Sequence, residues 1–243
     1  MSKIYVMGIG PGDINTMTVR AREVLASCDV IVGYRSYTDL VKDAYPDKEI
    51  VSSSMRRETD RCHKCIELAL SGKIVALICS GDAGVYGMAS PMLEIAAKEG
   101  FDDIEIVPGV TAALSGAALL GAPIGHDFCT ISLSDLLTPW DLIEKRLRSA
   151  AEGDFCIVLY NPASRTRTHN LKRACDILMR TISPDRCCAL VKNVGRSNSG
   201  YSVCTLSELS ETDADMSTTV FIGNSRTYCE NGRVITPRGY EIR

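Results

Sequence analysis

Short apolar runs alternate with stretches of helical period through the first half of this chain, and that alternation restricts the fold more than any single motif. Residues 4–7, 30–32, 49–51, 74–78 and 104–107 are brief, rich in Ile and Val, and bounded by polar or glycine-containing segments. Between them Met17, Ala21, Val24, Leu25 and Cys28 share one helical face, as do Cys62, Cys65, Ile66, Ala69 and Leu70, and again Ala89, Met92, Leu93 and Ala96. Consecutive strands joined through helices run parallel, so the expected architecture is α/β, a mostly parallel sheet covered on both faces.

Gly121-Ala122-Pro123-Ile124-Gly125 interrupts this pattern and reads as a linker. Strand-like runs resume at 129–133, 156–159, 188–192, 202–205 and 219–222. One intervening helix is expected to open at Thr138-Pro139-Trp140-Asp141, with Thr138 as cap, Pro139 in the first helical position and Asp141 as the acid three residues on. Another carries Leu171, Ala174, Cys175, Leu178 and Met179 on one face. The small-residue stretch Ala112–Leu120 is expected to be a helix packed closely on backbone. Two α/β domains with mostly parallel or mixed sheets follow, 1–121 and 126–243.

The 243 residues hold enough apolar side chains, 45%, to bury the core of each, and 23% charge is ordinary for a globular chain. A net charge of −3 argues against a general nucleic-acid binder. No apolar stretch is long enough to span a bilayer, and the N-terminus runs straight into a strand without a signal-peptide layout, so the expected compartment is the cytoplasm. Eleven cysteines, an odd count in a chain of this size, fit a reducing compartment better than a disulfide framework. Cys62-His63-Lys64-Cys65 lacks a second half-site and reads as core cysteine, as does Cys187-Cys188. The charged run over residues 55–61 reads as a solvated helix start, with an anionic substrate as the other partner it could face.

Four loops combine glycine or proline with polar residues at strand ends, where open α/β sheets bind ligands. Gly8-Ile9-Gly10-Pro11-Gly12-Asp13 departs from the dinucleotide fingerprint, which requires a third glycine where Asp13 stands, and no acid ends the second strand at Gly33-Tyr34-Arg35. A nicotinamide site is therefore disfavoured. Ser80-Gly81-Asp82-Ala83-Gly84-Val85-Tyr86-Gly87 wraps three glycines around one acid, suited to a ribose hydroxyl or a cation, or to capping the helix that follows. Val107-Pro108-Gly109-Val110-Thr111-Ala112 and Leu159-Tyr160-Asn161-Pro162-Ala163-Ser164-Arg165 are the others.

The first three loops together resemble the signature segments of the tetrapyrrole methyltransferase superfamily. Gly33-Tyr34-Arg35, the segment from Ser132-Leu133-Ser134-Asp135 to Leu136-Leu137-Thr138-Pro139-Trp140, and Tyr160-Asn161-Pro162-Ala163-Ser164-Arg165 resemble its precorrin-3B carbon-17 methyltransferase branch, which includes the cobalt-factor III enzymes. The resemblance runs over essentially the whole chain. It implies S-adenosylmethionine (SAM) in a cleft between two α/β domains, a tetrapyrrole substrate and, usually, a homodimer. It implies methylation at carbon 17 with ring contraction, the alternatives being a precorrin-2 carbon-20 or uroporphyrinogen-III methyltransferase. More distant readings are a nicotinamide oxidoreductase and a non-catalytic ligand-binding module.

Carried onto this sequence, the resemblance implies Pro11, Gly81, Asp82, Val85, Thr111 and Ala112 around the cofactor, with Asn161 and Gly195 from the second domain. Methyl transfer from a sulfonium needs neither a metal nor a protein nucleophile, and positioning supplies most of the catalysis. For any acid/base step His126, beside Asp127, is the candidate among the three histidines, since His63 and His169 sit in polar contexts. Tyr34, Arg35 and the Ser134-Asp135 pair are the candidates for substrate contact, Arg35 because the implied tetrapyrrole carries many carboxylates.

Overall fold

Five strands organise the first of two units, Met1–Ala112 and Ala113–Arg243, in this computed structural model, which describes residues 2–164 and 166–241. The order is β1 (Lys3–Gly8), α1 (Val19–Ser27), β2 (Val30–Tyr34), α2 (Arg35–Val41), β3 (Glu49–Ser53), α3 (Glu58–Leu70), β4 (Ile74–Cys79), α4 (Ala89–Glu99) and β5 (Ile104–Val107). Every pairing is parallel, in the order β3-β2-β4-β1-β5. Along β4 the side chains alternate between faces: Val75 and Leu77 join Cys65, Ile66 and Met92 of α3 and α4, while Ala76 and Ile78 join Val24 and Leu25 of α1 and Val41 of α2. The connection leaving β1 crosses β4 to reach β2, and the one leaving β4 crosses β1 to reach β5. Adjacent strands whose connections depart in opposite directions open a crevice at their C-terminal ends.

Helix faces differ from the sequence reading in detail. Leu70 and Leu93 are exposed, at 73% and 47%. Arg61 and Leu68 are buried in their stead on α3, because they follow Cys65 by minus four and plus three and so lie on its inner face. The run over residues 55–61 is thus solvated only as far as Asp60.

The second unit contains α5 (Ala112–Leu120), β6 (Gly121–Ala122), β7 (Phe128–Ser132), α6 (Trp140–Glu152), β8 (Cys156–Tyr160), α7 (Asn170–Leu178), β9 (Cys187–Lys192), β10 (Gly200–Thr205), α8 (Leu206–Ser210), β11 (Thr218–Ile222), β12 (Tyr228–Glu230) and β13 (Arg233–Ile235). Its main sheet is mixed, β10-β9-β11-β8-β7. Only β7 and β8 pair in parallel; β11 runs antiparallel to both β8 and β9, so those two point the same way. Helices α6, α7 and α8 cover one face through Ile143, Leu147, Leu171, Leu178, Leu206 and Leu209. The other face receives α5: Ala113, Ala117 and Leu120 pack with Val158, Ala189, Val191 and Phe221. A Cβ at Gly116 would lie 2.9 Å from two atoms of the Phe221 ring, so the small residues of this helix admit an aromatic side chain and not bare backbone.

That packing puts the unit boundary before α5 and not after Gly121. The segment expected as a linker instead continues into β6, which pairs in parallel with β13 in a three-stranded sheet completed by β12. Helix α6 begins one residue later than expected: Pro139 is its N-cap, with no side-chain capping bond, so Thr138 does not cap it. Trp140 lies under the Arg173 guanidinium, 4.3 Å from the ring centroid. Helices α2 and α8 and the β12–β13 hairpin have no counterpart in the sequence reading. Among the described residues no helix is long and apolar enough to cross a membrane.

Candidate functional site

Three of the glycine loops converge at the crevice of the first sheet. Gly10 and Gly81 exchange backbone hydrogen bonds, N–H to O=C at 3.1 and 2.8 Å, which ties the loop after β1 to the loop after β4. The loop after β5 packs directly on them. A Cβ on Gly109 would stand 2.1 Å from the Gly81 carbonyl oxygen and 2.8 Å from Gly8 Cα, and one on Gly8 would stand 2.3 Å from the same oxygen. Backbone occupies those positions, so only glycine permits this approach.

Asp82 fixes the junction. Its Oδ1 accepts the backbone N–H groups of Gly84 (2.8 Å) and Val85 (3.1 Å), closing its own loop, and its Oδ2 accepts the Gly109 N–H (2.9 Å) from the next loop. The same loop carries Tyr86 in the left-handed region at φ +54°, an unusual conformation for a bulky residue, with its side chain half exposed. Pro11, buried beside Gly10, and Thr111, whose Cα is 3.6 Å from where a Gly81 Cβ would be, complete the cluster; Ala112 N lies 3.8 Å from that point. Six expected residues of the first unit are therefore brought together. Cys79 below them is a neutral thiol, its pKa pushed up to about 11 by burial, and its Sγ donates to the Met7 carbonyl oxygen.

In the second unit Asn161 and Gly195 follow the C-terminal ends of β8 and β9, one edge of the sheet. Asn161 and Asn193 both adopt left-handed φ, +53°, which asparagine tolerates better than most residues. The Asn161 Nδ2 donates to Ser132 Oγ (2.9 Å), and the hydroxyl of Tyr160 accepts the Ala113 N–H at the start of α5 (2.8 Å). The Gly195 turn is anchored through Asn193 N–H to the Ser217 carbonyl and through the Lys192–Asp215 ion pair at 2.7 Å. Burial would raise the Asp215 carboxyl, but Lys192, Ser217 and Thr218 outweigh it and hold the pKa at about 2.

His126 is exposed; its Nδ1 accepts the Asp127 N–H (2.8 Å) and stands 3.3 Å from the Asp127 carboxylate. Tyr34 ends β2 with its ring edge-on to Tyr37 at 5.2 Å, and Arg35 opens α2, exposed. Ser134 and Asp135 are held by Arg167, which donates from Nη1 to Ser134 Oγ (2.9 Å) and Asp135 Oδ1 (3.3 Å) and from Nε to Ser164 Oγ (3.1 Å). Arg167 thereby fastens together the two segments that carry the branch resemblance; Arg165 of the second lies outside the described residues. Neither Arg167 nor the buried Arg61 was singled out from sequence, although the four-residue spacing of Arg61 to Cys65 was visible there. Cys62 and Cys65 are both buried in the apolar core, and among the described residues no cluster of His, Cys, Asp or Glu could hold a metal ion.

The family model for tetrapyrrole (corrin/porphyrin) methylases matches residues 3–210. The chain belongs to that family. As a tetrapyrrole methylase it is 48% identical over 240 residues to a Salmonella typhimurium protein named "Probable cobalt-factor III C(17)-methyltransferase", covering 98% of this chain and 100% of the relative. It is 39% identical over 246 residues to a Sinorhizobium protein named "Precorrin-3B C(17)-methyltransferase", covering 98% and 96%. Its backbone matches the crystal structure of the methyltransferase CobJ with a TM-score of 0.90 at 37% identity, over 98% of this chain and 100% of that one. The methylase fold thus accounts for both units, and the convergent loops lie inside the matched segment.

Proposed function

We propose that this methylase transfers the methyl group of SAM to carbon 17 of a corrin-ring precursor, cobalt-factor III or its metal-free counterpart precorrin-3B, with ring contraction, in cobalamin biosynthesis. The observation that carries the reading is 48% identity, end to end on both chains, with the relative named for that reaction. The loops of the first unit fit SAM chemically. They present backbone carbonyls and amides, the carboxylates of Asp13 and Asp82, and no Lys or Arg that would repel a sulfonium.

The sulfonium supplies an already electrophilic methyl group. The chain's own contribution is position: Asp82 and the Gly8–Gly81–Gly109 stack hold the first-unit loops, while Asn161 and Gly195 stand at fixed turns in the second. Holding methyl and acceptor carbon in line contributes on the order of 7–11 kcal/mol. His126 serves this reading as the candidate for any acid/base step, and Tyr34 and Arg35 as substrate contacts. A homodimer in the cytoplasm is part of the reading, and sedimentation equilibrium checks the first half of it. The function itself is tested by incubating the protein with SAM and each of the two precursors and locating the new methyl by carbon-13 NMR with labelled SAM. A methyl on carbon 17 supports the assignment; one on carbon 20 replaces it.

A further inference from the structure

Beyond the glycine loops, the C-terminal edge of the first sheet carries a second group of charges. Cα pairing sets Tyr34 opposite Ser53, so Arg35 stands one residue and Arg56 three residues past the same rung of β2 and β3. Arg56 is exposed and adopts φ +64°, a left-handed conformation for which its side chain offers no local compensation. The residues on either side of it are held by Arg61, only 6% exposed. Its Nη1 donates to Ser53 Oγ (2.8 Å) and the Ser54 carbonyl (3.1 Å), and its Nη2 to Glu58 Oε1 (3.2 Å) and Met88 Sδ (3.9 Å). A buried guanidinium thus clamps the 53–56 loop to the end of the loop that contains Asp82.

The carboxylates nearby are committed: Glu58 to Arg61, Asp60 to Arg57 at 2.7 Å, and Asp39 to Lys42 at 2.8 Å. No carboxylate among the described residues pairs with Arg35 or Arg56, so two guanidinium groups at the ligand-binding edge of a parallel sheet carry uncompensated charge.

We propose that Arg35 and Arg56 form a subsite for the peripheral carboxylates of the substrate, with Arg61 as the positioning residue that sets the loop. This rests on the assignment of a tetrapyrrole substrate. A guanidinium binds a carboxylate through two parallel N–H bonds, which orients as well as attracts, and peripheral carboxylates are what distinguish one edge of such a macrocycle from another.

The test is binding of uroporphyrin III, an octacarboxylate, to the full chain by fluorescence titration, alongside SAM affinity by calorimetry and methyl-transfer kinetics. Arg56→Gln and Arg35→Gln are each expected to weaken uroporphyrin binding and raise the tetrapyrrole KM about tenfold, the scale of one charge-assisted hydrogen bond, with kcat and SAM affinity little changed. The salt dependence of binding falls in both. Arg61→Lys keeps the charge but not the fork, and is expected to give the same rise in KM; if it fails to fold, the two exposed variants still decide. Lys64→Gln, which removes an exposed cation from the same helix, changes nothing. Uroporphyrin binding unaltered in both Arg35→Gln and Arg56→Gln overturns the subsite. Binding lost in these variants, in a protein that methylates no tetrapyrrole, leaves the subsite standing and removes the function.

Discussion

Asp82 shows how one side chain can organise the loops of a site. Three backbone N–H groups from two loops end on its carboxylate, so removing it strands donors that were satisfied. Asp82→Ala is expected to lower unfolding stability by about 2 kcal/mol, measured by denaturant titration, and to weaken SAM binding in consequence. Asp82→Asn keeps one acceptor oxygen for Gly84 and Val85 but turns an NH2 toward Gly109, and falls between the two. Unchanged stability with weakened SAM binding would instead mean that the carboxylate acts on the cofactor directly. The sequence marked Asp82 as important through its glycine neighbours, but a carboxylate's partners 27 positions away in sequence, as Gly109 is, cannot be read from composition. Arg61 was missed for the opposite reason: a charged residue beside Arg56 and Arg57 reads as solvated, and only its place on the inner face of α3 contradicts that.

At the scale of elements, the central strands β2 and β4 were legible because burial on both faces leaves short apolar runs rich in Ile and Val. Helix α8 carried a capping box in plain view, Thr205 Oγ1 accepting from Glu208 N–H and Glu208 Oε2 from Thr205 N–H, yet five residues are too few to show a period. The Gly121–Gly125 segment read as a linker because glycine and proline mark turns; they do not say which side of the turn a helix packs on. Gly116→Ala tests the packing of α5, since its new methyl meets the Phe221 ring; the overpacking is expected to cost about 1–3 kcal/mol in a denaturant titration. The turn before β11 gives a pH signature. Asp215 titrates below its ordinary value in the folded state, so its contribution is complete above about pH 4 and is lost as pH falls toward about 2. Asp215→Asn is expected to be less stable at neutral pH and to lose less stability on acidification, followed by circular dichroism. An acid limb identical to that of the unmodified protein would place the charge elsewhere.

At the scale of the whole molecule, none of the thiols shifted by burial among the described residues is activated as a nucleophile. Burial raises the thiols: Cys28 and Cys62 to about 11, Cys175 to about 12, and Cys65 and Cys188 well above the ordinary range. Cys229 is the exposed one. Alkylation followed by mass spectrometry should therefore modify Cys229 first, and all eleven only after unfolding; rapid modification of Cys65 in the native protein would contradict the described core. The fold, the first-unit loops and two cationic candidates, Arg35 and the run over residues 55–61, could be read from sequence, whereas which of those cations the fold leaves without a carboxylate partner could not. Methylation of carbon 17 of a corrin precursor with contraction of its ring is the central proposal for this chain. Purified protein incubated with SAM and cobalt-factor III, and in parallel with precorrin-3B, without added reductant, is the direct measurement, read by product mass and absorption spectrum. The account predicts a product that gains one methyl and loses the spectrum of the uncontracted macrocycle with at least one of the two. A methylated product that keeps the intact ring, or no turnover of either precursor while SAM is bound, would contradict it.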